Sequence, residues 1–567
     1  MAVSDGSASR NSAEPQRKQE QEPKGPEPAP AQQLPSSAQD KAKPSSSPRS
    51  VLKRNLVIVA LGLGIFIGIL DATIVATILP TLVDEFQSID SAGWYGSAYL
   101  LVTGATQPTF GKLYSTFRPK LVFLVSILLL SIGSLVCALA RASSVFIGGR
   151  AVAGLGAAGV VSGALVITAL VVPLHLRPIY TSCLGSLEGI GLIVGPLIGG
   201  AIASNIGWRW CFWINLPVAA VLSVVIFFLL VLPPAVPSDD QKSSTSVKQQ
   251  LLQLDLEGGL AIAGSLTCLL LAIQWGGTTY AWSDSRIIVL FVVFGVSIIC
   301  VGFHQGWKGE RATFPMRLLK NRTFAMLVLD GFCMAGAQFV VLYYLPIWFQ
   351  AVQGASAQES GIKLLPTVLS VIVMAIFAGI GASIVGYIVP FIILATILGS
   401  VGAGLLHTLY PQISQSRWIG YQILFGAGSG MGVQQCIVGV QMAVDHADVA
   451  YATSAIMLVN TLSGAILIAV SQSLFLGEVV GIAQDVGLSD PLSSFQSSED
   501  SLSPQNRQLV IQAYNNGVSK AILVALILCS ITVVSWPLLK WIRIKQNKDD
   551  TEEANTETLP PLSTSTL

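Results

Sequence analysis

From residue 56 onward the chain reads as apolar runs of about twenty residues, broken by short stretches that hold charge, proline or glycine. A helix rises about 1.5 Å per residue, so roughly twenty apolar residues cross a hydrocarbon core of about 30 Å. On that measure the pattern predicts membrane helices near 56–79, 92–111, 121–140, 144–171, 177–203, 211–233, 256–274, 287–305, 323–349, 360–381, 383–407, 416–443, 451–475 and 518–542. That makes fourteen. The division between the tenth and eleventh, "GIGASIVGYIVP" (Gly379–Pro390), contains no charge and rests on glycine and proline alone.

The flanks break the pattern. Residues 1–50 are rich in Pro, Ser, Gln, Lys and Glu, which cannot bury a core, so a disordered tail is expected, with another at 546–567. No short apolar targeting segment precedes the first long helix, which must then serve as its own signal. The short loops orient the bundle. If the N-terminus is cytoplasmic, inner loops hold Lys112, Arg118, Lys120, Arg177, Lys242, Lys248, Lys308, Arg311, Arg317, Lys320 and Arg322, and the C-terminal flank adds Lys540, Arg543, Lys545 and Lys548. Outer loops hold fewer: Arg141, Arg209, Arg286, Arg417 and Arg507. The excess of Lys and Arg inside places both termini in the cytoplasm and the segment 476–517 outside.

Composition sharpens this. Hydrophobic residues make up 52% of the 567 and charged ones only 11%, against about 25% charged in soluble domains. The formal net charge of +1 leaves no basic excess for nucleic acid. The eight cysteines nearly all fall in apolar runs and read as small buried residues. No phosphate-loop motif, Ser/His/Asp spacing or metal-ligand cluster is present, and His175, His304, His407 and His446 stand singly. No catalytic residue, metal or cofactor is therefore expected, and the chain does not read as an enzyme.

The few ionisable groups inside the runs carry the chemistry, because a charge in the membrane is costly and marks function by default. Asp71 in the first span and Arg150 in the fourth fall at similar depth in the outer half. Glu188 in the fifth lies near the midplane, and Asp330 in the ninth nearer the cytoplasm. The fifth span also holds Gly191, Gly195 and Gly199 on one face, with Pro196 and Gly200 beside them. Glycines at that spacing admit another helix backbone, and the proline removes a backbone hydrogen bond. These five residues are the expected conformational hinge, with plain glycine packing as the alternative.

Several stretches together resemble one family. "GLIVGPLIGG" (Gly191–Gly200), "LDATIVATILP" (Leu70–Pro80) and "GGRAVAGLGAAG" (Gly148–Gly159) are similar to signatures of antiporters in the major facilitator superfamily. "WYGSAYLL", "WRWCFWINLP" and "YYLPIWFQAVQGASAQESGIKLLP" are similar to segments of its fourteen-span drug–proton branch, as in fungal toxin and multidrug efflux pumps. The resemblance covers roughly 55–545. It implies an all-α membrane protein of the major facilitator fold: two six-helix bundles at 51–235 and 323–545, with two additional helices in the linker 236–322. One departure stands out. The loop after the second span reads "GKLYSTFRPK" (Gly111–Lys120), with Ser115 in place of the family's acid, and the equivalent loop around Gly381–Tyr387 lacks its basic residues.

The resemblance implies proton-coupled efflux of an amphipathic small molecule, a fungal metabolite, toxin or drug, by alternating access. Glu188, Asp71, Arg150 and Asp330 are the expected proton-coupling groups, with a fixed Asp71–Arg150 ion pair as the structural alternative. Tyr343, Tyr344, Gln350, Gln434 and Gln435 are the expected substrate contacts between the bundles. For Trp348 and Phe349 packing is the favoured reading. "FGAGSGMGVQQ" (Phe425–Gln435) reads as helix packing, not a phosphate cradle. The expected partners are a small-molecule substrate, protons and the lipid bilayer, with a monomer sufficing. The expected location is the cell membrane, with an internal vacuolar membrane as alternative. The rivals are an importer of a nutrient or iron chelate on the same fold, and a non-transporting membrane sensor.

Overall fold

Helix dominates wherever the apolar runs lie. The structure, a computed structural model, describes residues 48–88, 91–232, 255–277, 279–485 and 504–544. The disordered tails expected over most of 1–50 and over 546–567, and the first part of the linker, lie outside the described residues. The long helices are α1 (Pro48–Phe86), α2 (Ala92–Thr116), α3 (Pro119–Leu139), α4 (Ser143–Val171), α5 (Arg177–Asn205) and α6 (Asn215–Leu229), the last entered through a helical turn at Trp210–Trp213. Then follow α7 (Leu256–Trp275), α8 (Ser285–Lys308), α9 (Arg322–Ala351), α10 (Leu365–Val385), α11 (Val389–His407), α12 (Gln415–Met442), α13 (Val449–Asp485) and α14 (Pro504–Ile531). Among the described residues, thirteen helices are long and apolar enough to cross a membrane. α2 is the fourteenth; Thr103, Thr106, Gln107, Thr109 and Lys112 dilute its apolar content.

Two boundaries differ from expectation. α10 runs on to Val385 and ends at Gly386, whose φ of 83° is the left-handed conformation that glycine alone enters freely. α14 begins at Pro504, so "LVIQAYNNGVSK" is helix where an outer loop was expected. Its polar residues hide a buried stripe, Val510, Ala513, Tyr514 and Val518, at helical spacing. That stripe packs on Phe475 and Val479 of α13, and Asn515 accepts a hydrogen bond from the Trp348 indole at 2.8 Å.

Small residues set the packing. α2 and α3 lie on α4, and α10 and α11 lie on α12 in the same way, eight helices along. A Cβ at Gly156 of α4 would overlap the Leu130 backbone of α3, and one at Gly428 of α12 would overlap the Gly399 backbone of α11. Backbone contact this close is how helices associate where lipid offers no hydrophobic penalty. The glycines of Phe425–Gln435 thus face α9, α10 and α11, as packing residues. Two seams join the halves, α2 against α13 and α5 against α10, and an eight-helix shift exchanges them. α7 fills the groove beside α2 and α13, with Ala105, Ile262, Leu266 and Val301 at the contact. α8 lies behind α7 and exposes Ile288, Val292, Ile299, Phe303 and Trp307, an apolar stripe fit for lipid.

Candidate functional site

Asp71 and Arg150, 79 residues apart, meet. Arg150 Nη1 donates to Asp71 Oδ2 at 2.5 Å, and both side chains are fully buried. Arg150 Nε donates to the Tyr95 carbonyl at 3.0 Å, and its guanidinium sits 4.4 Å from the Tyr99 ring centre. The other carboxylate oxygen accepts from Asn215 Nδ2 at 2.8 Å, and that amide also donates to Ser134 Oγ at 3.1 Å. Sequence reasoning missed Asn215 and Ser134. The single Asn opening the apolar run of α6 was the available signal; a lone Ser in α3 gave none. Phe146, Trp208 and Phe212 pack edge to face beside the pair. The bonds from Asn215 and to the Tyr95 carbonyl offset part of the desolvation of this dry pair; Arg150 Nη2 has no hydrogen-bond partner among the described residues.

Glu188 does not join that pair. It is half-buried on α5 and has neither hydrogen bond nor ion pair among the described residues. Gly185, three residues earlier and therefore on the same face, is covered by the Gln434 amide of α12. Gly189 faces Ile372 of α10 across the seam. Among the described residues, Gln434 Oε1 and both polar atoms of the fully buried Gln435 lack hydrogen-bond partners. Glu188 and Gln434 therefore sit on helices that meet where the two halves join. The glycines expected as the hinge border the same stretch of α5 and turn toward α1. Gly191, Gly195 and Gly199 pack on Ile69, Thr73 and Ile74 of α1, while Gly200 has nothing within 4 Å and α5 runs as helix through Pro196.

Asp330 forms a second buried site. Ser535 Oγ donates to Asp330 Oδ2 at 2.7 Å, and Oδ1 has no hydrogen-bond partner among the described residues. Thr396 and Thr532, bonded at 2.7 Å, continue the polar patch. The remaining candidates scatter. Tyr343 is 48% exposed, while Tyr344 is buried and its hydroxyl reaches the Ile468 carbonyl at 3.4 Å. Gln350 donates to Ser360 Oγ at 3.0 Å, next to the short helix before α10. Trp348 and Phe349 are fully buried core residues, in line with the packing reading.

The seams close at one end. Near the basic loops, a Cβ at Gly111 would come 2.8 Å from Ser454, and one at Gly379 would come 2.6 Å from the Pro178 carbonyl. Further along, Gly104 meets Thr461 and Gly189 meets Ile372, at 3.2 Å in both cases. Beyond these, Gly93 shares a helix face with Gly104, and Gly200 one with Gly189, yet both have nothing within 4 Å. The halves touch at the basic-loop end and part toward the other.

Comparison with known proteins fits this architecture. The sequence profile of the Major Facilitator Superfamily matches residues 61–470. "Efflux pump apf11" of Gibberella fujikuroi is 63% identical over 88% of this chain and 90% of its own length. "MFS-type transporter TOXA" of Cochliobolus carbonum is 47% identical over 89% and 92%, and "Efflux pump roqT" of Penicillium rubens 39% over 92% and 97%. Among solved structures, the human organic anion transporter MFSD10 superimposes with a TM-score of 0.54 at 16% identity, covering 84% of this chain and 99% of that one. The proton:xylose symporter XylE gives 0.53 at 15%, covering 88% and 98%; at such identities the likeness is one of fold. Profile, relatives and helix arrangement agree: the chain is an integral membrane protein that belongs to the major facilitator superfamily, a family of transporters.

Proposed function

We propose that the protein exports an amphipathic small molecule in exchange for protons, by opening alternately to the two sides of the cell membrane. One observation carries this reading: Glu188, a carboxylate without an ion-pair partner among the described residues, sits on the helix that meets α10 and α12 of the other half, three residues from Gly185, which the Gln434 amide covers. A carboxyl there can take a proton from one side and release it to the other, while Gln434 and Gln435 offer hydrogen bonds to a passenger. The names of the relatives, efflux pumps, support the direction of transport. Asp71–Arg150 serves as the fixed strut of the first half, and Asp330 as a secondary proton site in the second. The hinge lies in α5 around Pro196, and the bundles divide near 51–235 and 323–545.

The test is transport by the purified protein in vesicles under an imposed pH gradient. Glu188→Gln should abolish gradient-driven accumulation of an amphipathic dye while leaving exchange down its own gradient. Full gradient-driven transport by that variant would remove Glu188 from the mechanism.

A further inference from the structure

The loop after α2 lacks the family's acid; in its place Ser115 Oγ donates to the Lys112 carbonyl at 2.9 Å. The seam beside it is nevertheless shut. The segment 309–321, between α8 and α9, lies across that place.

Its first part is anchored on α7 and α8. Asp255, buried at the start of α7, accepts from Gly258 N at 3.1 Å, Thr313 N at 3.2 Å and Gln305 Nε2 at 2.9 Å. Phe314 N returns a bond to Gln305 Oε1 at 3.0 Å. Its middle holds α2: the buried Lys112 donates to the Ala312 carbonyl at 3.2 Å and lies 5.6 Å from the ring centre of Tyr451 on α13. Its far part holds the second half. Arg317 Nη2 donates to Asp448 Oδ1 at 2.9 Å, one residue before α13, and Asn321 Nδ2 donates to the Ala443 carbonyl at 2.6 Å, just past α12.

We propose that 309–321 is a strap that latches the α2–α13 seam at the basic-loop end, replacing the charge pair that the sequence of the α2–α3 loop no longer provides. Before the halves part at that end, the strap must release either Lys112 or Asp448. The strap therefore sets how often the protein opens toward that side. This inference rests on the alternating opening proposed above.

The test places a cysteine at Ser454, which lies against Gly111 in the closed seam. Its reaction with N-ethylmaleimide is followed by mass-spectrometric peptide mapping of the full-length protein, so the native cysteines do not interfere. Arg317→Ala should raise the modification rate at position 454 roughly fivefold, the scale of a partly exposed ion pair. Lys112→Met should raise it independently, because it cuts the strap from the other half. Both variants are compared with the parent for monodispersity, so that unfolding is recognised. Unchanged rates in both, in well-folded protein that reacts measurably as the parent, would overturn the latch alone. No reaction at position 454 in any of the three, with or without substrate dye, would overturn the latch together with the alternating opening.

Discussion

Replacing Asp71 by Asn keeps the shape of the side chain and removes its charge. Arg150, with no exposed surface, then loses the carboxylate paired with it. Breaking one partner of a buried ion pair typically costs about 3–5 kcal/mol, because the other charge stays buried without compensation. Arg150 would keep its bond to the Tyr95 carbonyl and its place over the Tyr99 ring, and a desolvated cation–π contact is worth up to about 2 kcal/mol. The lower end, about 3 kcal/mol, is therefore expected, a change of roughly a hundredfold in the folding equilibrium. Arg150→Met should cost a similar amount by stranding Asp71. The double variant should be much less damaged than the sum, since replacing both members of a buried pair is often near neutral. Denaturant unfolding in detergent, followed by tryptophan fluorescence, gives the three free energies and their coupling. Coupling below about 0.5 kcal/mol, the range of independent sites, would refute the view of the pair as one unit. Gradient-driven transport retained by a stable double variant would confirm its role as strut.

The helix contacts and the strap give two more expectations. Gly428→Ala forces α11 and α12 apart, because its Cβ meets backbone and not a movable side chain; a loss of about 1–3 kcal/mol is expected, whereas Gly200→Ala, with open space around it, should leave the unfolding midpoint unchanged. Burial alone would raise the Asp255 carboxyl, but bonds from Gln305, Gly258, Thr313 and Lys308 outweigh it and hold it below its ordinary 3.8. The groups facing it are Lys308 and His304, with Glu257 beside Lys308. A depressed carboxyl stabilises the fold above its unfolded value and loses that contribution as pH falls through its folded value. The stability gap between the parent and Asp255→Asn should thus be full at pH 5 to 7 and shrink as pH falls below about 4; a gap that widens toward acid would contradict the strap's anchoring.

Much of this was legible in the chain. Runs of apolar residues gave the helices, because length and hydropathy are what a membrane selects. Asp71 and Arg150 were visible because charges inside such runs are rare. Their neighbours Asn215 and Ser134 were not, since a neutral polar residue in an apolar run has no signature until its partner is known. The start of α14 was hidden for the opposite reason: Gln505 to Lys520 is polar on one face, so an apolar window begins too late. Residues 309–321 looked like an ordinary basic loop. Their importance comes from contacts with residues more than a hundred positions away, such as Lys112 and Asp448, that no local pattern encodes.

The exchange of the two seams by a shift of eight helices has a mechanical consequence. In the alternating opening proposed above, tilting one half against the other about a line that crosses both seams widens the two lines of contact together, so neither parts while its counterpart stays put. A single covalent staple, tied across α2 and α13 or across α5 and α10, would immobilise the whole machine.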